Sequence, residues 1–131
     1  MPIDLKSSLD ATPFTVHVVG DVSQTPFDGA FKCRVKLSYR DQLRMDQVRR
    51  EILGPDGPNA SPRAQNTAEL LSQLAIHLCD SPNWWKDSNG GLDLMDDNVL
   101  AAVWEQVRSI KQAATDAAKA AAEAVKAELK Q

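Results

Sequence analysis

Two short stretches near the start of the chain alternate apolar and polar residues with the two-residue period of a half-buried strand. In 14–19, Phe14, Val16 and Val18 share one face, and Thr15, His17 and Val19 share the other. In 31–37 the division is cleaner, with Phe31, Cys33, Val35 and Leu37 against Lys32, Arg34 and Lys36. Residues 20–30 hold Pro26 and Gly29 and read as the connecting loop. A strand pair alone is marginal in water. Its apolar face must therefore cover the helices that follow, or its edge must pair with another subunit.

After Leu37 the period becomes helical. Ser38 with Asp41 three residues later makes a short-armed capping box and predicts a helix over 38–53. Leu43, Val48 and Ile52 form its loose apolar stripe, and Gly54–Pro55 stops it. Ser61–Pro62 opens a second helix that runs to about Cys79. Ala64, Ala68, Leu71, Leu74, Ala75 and Leu78 form its buried face, and Asp80-Ser81-Pro82 ends it. Residues 83–95, NWWKDSNGGLDLM, read as an exposed turn-rich loop. Asp96 or Asp97 then caps a third helix that continues close to Gln131. Its stripe is Val99, Val103, Val107, Ile110, Ala114, Ala117, Ala121 and Val125. From Ala113 onward it is mostly alanine, strong in propensity and poor in apolar surface, so its end is expected to project. Lys119–Glu123 and Glu123–Lys126 sit at pairing distances along its polar side.

The predicted fold is α+β and mainly α: an N-terminal strand pair, then a three-helix domain with a long alanine-rich C-terminal helix. The expected organisation is an arm over 1–13, one domain over 14–112 and a helical extension over 113–131.

Composition narrows the function classes. The 131 residues are 43% hydrophobic and 25% charged, ordinary for a soluble domain. A net charge of −3 disfavours nucleic acid as a partner. The charge is uneven, however. Seven basic residues lie between Lys32 and Arg50, opposed only by Asp41 and Asp46. Between Glu69 and Glu105 the sign reverses, with Lys86 alone against seven acids. Two solvated faces would explain this pattern. Docking between subunits or partners through complementary patches would also do so. Cys33 and Cys79 lack CxxC spacing and read as buried thiols of a reducing compartment. No run is long enough to span a bilayer, and 1–11 has no signal-peptide pattern. The expected location is cytoplasmic.

Catalytic signals are weak. His17 and His77 have no cysteine or carboxylate at metal-ligand spacing. Gly90–Gly91 follows no strand and belongs to no phosphate loop. Asp93, Asp96 and Asp97 lack the order of a calcium loop, and helix capping accounts for Asp96 or Asp97. The expectation is a protein that is not an enzyme and needs no cofactor or metal. The adjacent Trp84 and Trp85 are the strongest remaining sign. In an extended loop one ring would anchor the segment and the other would be offered to a partner. Trp104, inside the last helix, reads as core.

Three stretches together resemble the small tail assembly chaperones of long-tailed bacteriophages and prophages. They are FDGAFKCRVKLSYRDQLRMDQVRREILG, the helix around 70–78, and DSPNWWKDSNGGLDLMDDNVLAAVW. Trp84 and Trp85 match the family's aromatic pair, Gly91 its turn glycine, Leu94 its apolar anchor, and Asp97 and Val99 its helix opening. The resemblance implies a non-enzymatic protein of the host cell cytoplasm. Such a protein would coat the tape measure protein, help recruit tail-tube subunits and self-associate. The expected partner-binding residues are Trp84, Trp85, Leu92 and Leu94, with Arg40, Arg44, Arg49 and Arg50. The alanine-rich end and the 54–62 insertion depart from the family's pattern. They bear on the alternative, a structural virion protein of the tail tube, tail terminator or head–tail connector. A third reading is a helical adaptor that binds nucleic acid through the four arginines.

Overall fold

The computed structural model describes residues 11–130. Strands β1 (Ala11–Val19) and β2 (Pro26–Arg34) form an antiparallel hairpin, with Ala11 opposite Arg34 and Val19 opposite Pro26. The arm expected over 1–13 thus ends early, because Ala11, Thr12 and Pro13 are strand. Residues 1–10 of that arm lie outside the described residues.

β2 begins earlier than expected and stops at Arg34. Gly29, expected in the loop, sits inside the strand at a point where side chains approach the backbone closely. A Cβ there would come within 2.5 Å of the Pro82 ring. Pro26 occupies the first strand position, where a missing N–H breaks little of the ladder.

Helix α1 (Tyr39–Leu53) carries the expected capping box. Ser38 Oγ accepts from the Asp41 amide at 3.1 Å, and the Asp41 carboxylate accepts from the Ser38 amide at 3.0 Å. Gly54, at φ +76°, ends the helix in a conformation that side chains resist. Helix α2 (Pro62–His77) starts at the Ser61 cap. It is shorter than expected. Leu78–Asp80 forms β3, which adds to the free edge of β2 with Lys32 opposite Asp80 and Cys33 opposite Leu78. The sheet order β1-β2-β3 makes β2 the central strand. A short helix α3 (Asn83–Asp87) follows, and α4 (Asp97–Leu129) completes the chain. The fold is α+β and mainly helical, as expected.

The core lies between one face of the sheet and the helices. Phe14, Val16, Phe31 and Cys33 meet Leu74 of α2, Trp85 of α3, and Val103 and Val107 of α4. Phe14 and Phe31 are register partners, and their rings stack with centroids 5.0 Å apart. The other sheet face is open. There the exposed His17 and Asp28 side chains meet across the hairpin, Nδ1 to Oδ1.

α1 is the most lightly held helix of the body. Asp41 is its one buried residue, paired with Arg34 at 3.4 Å. Leu43, expected in the apolar stripe, is 71% exposed. Ala75, expected on the buried face of α2, is exposed as well. Ile76 and His77 are buried in that helix instead. His77 Nδ1 lies 2.7 Å from the Arg34 carbonyl. A carbonyl only accepts, so the neutral ring carries its proton on Nδ1. Burial lowers the His77 pKa, and the hydrogen bond to Arg34 only partly opposes this.

A clamp joins the hairpin turn to the start of α4. Of the two expected caps, Asp96 and Asp97, it is Asp96 that takes the N-cap position, yet its side chain makes no capping bond. It is buried and accepts from the Ser23 amide, the Val22 amide and the Ser23 hydroxyl, each at 2.8 Å. These bonds, that of the Ser23 amide foremost, hold its carboxyl below the ordinary carboxylate range. Asn98 adds two bonds, accepting from the Asp21 amide at 3.0 Å and donating to the Val19 carbonyl at 2.8 Å. Gly20 passes directly over the carboxylate, and a Cβ there would meet the Asp96 Cγ at 2.5 Å.

The stripe of α4 runs through Val99, Val103, Val107, Ile110, Ala114, Ala118, Ala121, Val125 and Leu129, in steps of four, four and three. It is buried through Val107 and half-buried at Ile110 and Ala114. Every residue over 115–130 is exposed.

Two outcomes are expected. Gly20→Ala should displace the Asp96 carboxylate and lower stability by about 1–3 kcal/mol in urea unfolding, the usual cost of overpacking. His77 should make the protein acid-sensitive. Its folded pKa is lowered, so stability is full above the unfolded value near 6.5 and falls as pH drops below it. Urea midpoints measured between pH 7.5 and 5.5 should decline, and His77→Gln should flatten that decline.

Candidate interaction surface

The expectation of an outward-facing tryptophan loop is overturned. Trp85 is 4% exposed, and Trp84 is half-buried. Residues 83–87 form a helical turn rather than extended chain. Neighbours on a helix diverge by only about 100°, so both rings reach the sheet, whereas extended chain would send them to opposite sides. Trp84 stands edge-on to Phe27 at 5.0 Å and to Phe31 at 5.7 Å. Its indole N–H donates to the Asp28 carbonyl at 3.0 Å. Trp85 stands edge-on to Phe31 at 5.8 Å. The ring partners of the pair therefore lie on β2, not at Trp104. Trp104 is half-buried against the core, with Lys111 Nζ 5.8 Å from its ring centroid.

The turn after α3 locks the indoles in place. Ser88 Oγ donates to the Trp85 carbonyl at 2.7 Å and accepts from the Gly91 amide at 3.1 Å. Asn89, Gly90 and Gly91 all take positive φ. A Cβ at Gly91 would come within 2.9 Å of the Trp85 ring. Leu94 is half-buried and packs on the core. Of the four expected loop contacts, Leu92 alone points outward, at 49% exposure.

Leu92 borders an apolar groove of about 210 Å³. Val48 and Ile52 of α1 form one wall, Leu71 and Ala75 of α2 the other, and Gly90 and Leu92 close the end. Glu51 and Asn89 also line it and place polar groups there. The groove exists because α1 leans on α2 without a deeply buried apolar stripe. Val48 and Ile52 were visible in the sequence as a helix face, but nothing along the chain showed that the Gly90–Gly91 turn would meet them.

The four arginines do not act as one patch. Asp46 accepts from Arg49 Nη2 at 2.6 Å and from Arg50 Nε at 2.9 Å, and Arg49 also lies 3.8 Å from Glu69 of α2. The bonds from Arg49 and Arg50 lower the Asp46 pKa. Arg40 and Arg44 are exposed, one turn apart on the same face, and belong to no ion pair among the described residues. The expected acidic region is also divided. Asp96 is buried in the hairpin clamp, and Glu105 is paired with Arg108 at 2.5 Å.

The cysteines separate as well. Cys33 is buried, and burial first, then the neighbouring Cys79, push its thiol up to about 11. Cys79, expected to be buried, is exposed because β3 turns its side chain toward the Lys32 carbonyl, 3.5 Å away. Among the described residues no cluster of three or more His, Cys, Asp or Glu side chains is placed to hold a metal ion. No described helix is long and apolar enough to cross a membrane. No protein-family model matches the chain, and no curated protein or solved structure matches it.

The packing gives the tryptophans different weights. Trp85→Ala should cost about 3–5 kcal/mol, the usual cost of emptying a large aromatic site in a core. Trp84→Ala should cost less, because part of that ring already meets water. Urea unfolding of the two variants gives the comparison.

Proposed function

We propose that the protein is a tail assembly chaperone of a long-tailed bacteriophage, working without a cofactor or a catalytic step. In this reading it binds the tape measure protein in the host cell cytoplasm and helps recruit tail-tube subunits. The observation that carries the reading is the open groove between α1, α2 and the Gly90–Leu92 turn. Its walls are aliphatic, its end is backbone and leucine, and Glu51 lies among the lining residues. That shape suits the apolar side chains of a helix laid across it. A long, helical, partly apolar client presents such side chains repeatedly. Many copies, each with a small groove, would cover it through summed weak contacts.

The family resemblance supports the same reading from a different part of the chain. The aromatic pair, the turn glycine and Leu94 build the wall that presents Leu92. The motif thus acts as the scaffold of the surface rather than as the surface itself. Arg40 and Arg44 are the remaining candidates for contact with acidic groups on a client.

The test is co-purification with a phage tape measure protein co-expressed with this chain. Leu92→Asp places a charge at the groove end without touching the core, and it should weaken binding by tenfold or more with unfolding unchanged. Equal binding by Leu92→Asp would remove the groove from the proposal. Failure to bind the tape measure protein, with retention of the chain in purified virions by mass spectrometry, would favour the structural tail-component reading instead.

A further inference from the structure

We infer that the groove beside Leu92 selects its helix by charge as well as by apolar surface. It takes a helix in which a basic and an acidic residue stand one heptad apart beside an aliphatic ridge. The basic residue lies over Glu51 and the acidic residue over Arg44. This rests on the groove being the client site, and it specifies what a client must carry there.

The start of α1 and the end of α2 meet at Arg34, whose guanidinium pairs with Asp41 and whose carbonyl accepts from His77. Farther along the pair Arg49 reaches Glu69, and beyond that Leu53 and Gln65 line one hollow. The two helices are therefore antiparallel. A groove bounded by Val48 and Ile52 on one and by Leu71 and Ala75 on the other runs along both axes. A helix seated in it lies along α1.

Positions on a helix turn by about 100° per residue, so Glu51 stands about 60° round α1 from Val48, and Arg44 stands about 40° round in the same sense. Glu51 and Val48 both line the groove. Arg44 lies between them in azimuth and so faces the same way, about 10 Å nearer the start of α1. On α2 that is the direction from Leu71 toward Ala75. Glu51 and Arg44 are both exposed, and neither belongs to an ion pair among the described residues. Arg49 and Arg50, by contrast, are held by Asp46.

A free acid and a free base thus stand along one lip of an apolar groove, seven residues apart. Seven residues are also about two turns of a bound helix, which bring its side chains back to the same face. A base and an acid in that relation meet Glu51 and Arg44 together. Two acids, or two bases, meet one attraction and one repulsion. Charges that flank an apolar seam choose partners in this way without supplying most of the affinity. Arg40, one turn beyond Arg44, extends the positive end.

The experiment measures fluorescence anisotropy with the full chain and three synthetic peptides of about four helical turns. Each peptide is held helical by a staple on the face away from a common leucine ridge. At two flanking positions a heptad apart they carry lysine and glutamate, two glutamates, or two lysines. The wild type should bind the lysine–glutamate peptide about fivefold tighter than either of the others at low salt, the scale of a favourable exposed ion pair. The margin should shrink as salt rises. Arg44→Glu should move the preference to the two-lysine peptide, and Glu51→Lys should move it to the two-glutamate peptide. Urea midpoints of both variants should stay at the wild-type value, because both positions are exposed. Leu92→Asp should weaken all three peptides. Equal binding of the three by the wild type, or a preference that neither variant moves, would overturn charge selection. The groove would still stand as the helix site if Leu92→Asp weakened all three. Binding of no peptide would overturn both readings. A charge preference that Leu92→Asp leaves at full affinity would put the peptides elsewhere on the chain and overturn the inference as well.

Discussion

Phe31 stands where the sheet and the short helix α3 meet. Its ring stacks on Phe14 from the neighbouring strand and receives the edges of Trp84 and Trp85. Edge-to-face aromatic pairs add to simple area burial, so this cluster both fills the core and orients its members. It also sets local chain geometry. Pro82 and Trp84 can approach β2 only because Gly29 has no side chain, and the Trp85 ring leaves room only for glycine at position 91. The turn that follows is thereby aimed at α1 and α2, and Leu92 reaches the groove.

The two ends of the body are secured differently. At the hairpin end, buried Asp96 and Asn98 hold the loop between β1 and β2 through its backbone amides and the Val19 carbonyl. Hydrogen bonds to a buried carboxylate are directional, and losing one partner leaves a charge poorly solvated. That end is specified in detail. At the α1 end the anchor is Asp41, which caps its helix and also meets Arg34. The rest of α1 is half-buried or exposed. A lightly seated helix beside a rigid turn leaves an open apolar groove.

α4 belongs to both regimes. Its first half is held by burial at Val99, Val103 and Val107, and its second half by the helix propensity of alanine. Alanine maintains the helix while offering a broad, shallow surface. The helix can therefore carry a stripe out of the body without needing a core around it.

Much of the fold was legible along the chain. The Ser38–Asp41 box, the Ser61–Pro62 start and the glycine stop at Gly54 are local chemistry, set by residues three or four apart. The alternation of Phe14, Val16, Phe31 and Cys33 marked the inner sheet face for the same reason. Arg40, Arg44 and Leu92 are exposed. What failed were inferences that needed a distant partner. Gly29 looked like a loop residue until Pro82 lay against it. Leu78 and Cys79 continued a helical pattern until the free edge of β2 drew them into the sheet. Trp84 and Trp85 looked like a platform until one helical turn carried both rings toward Phe31. Asp96 looked like a possible helix cap until the approach of the hairpin turn showed that its carboxylate serves residues 22 and 23. Sequence by itself determined the caps, the periods and the exposed character of the last helix, because neighbours along the chain decide these. Tertiary structure decided which aromatic side chains are hidden and where a groove opens, because both depend on surfaces far apart in sequence.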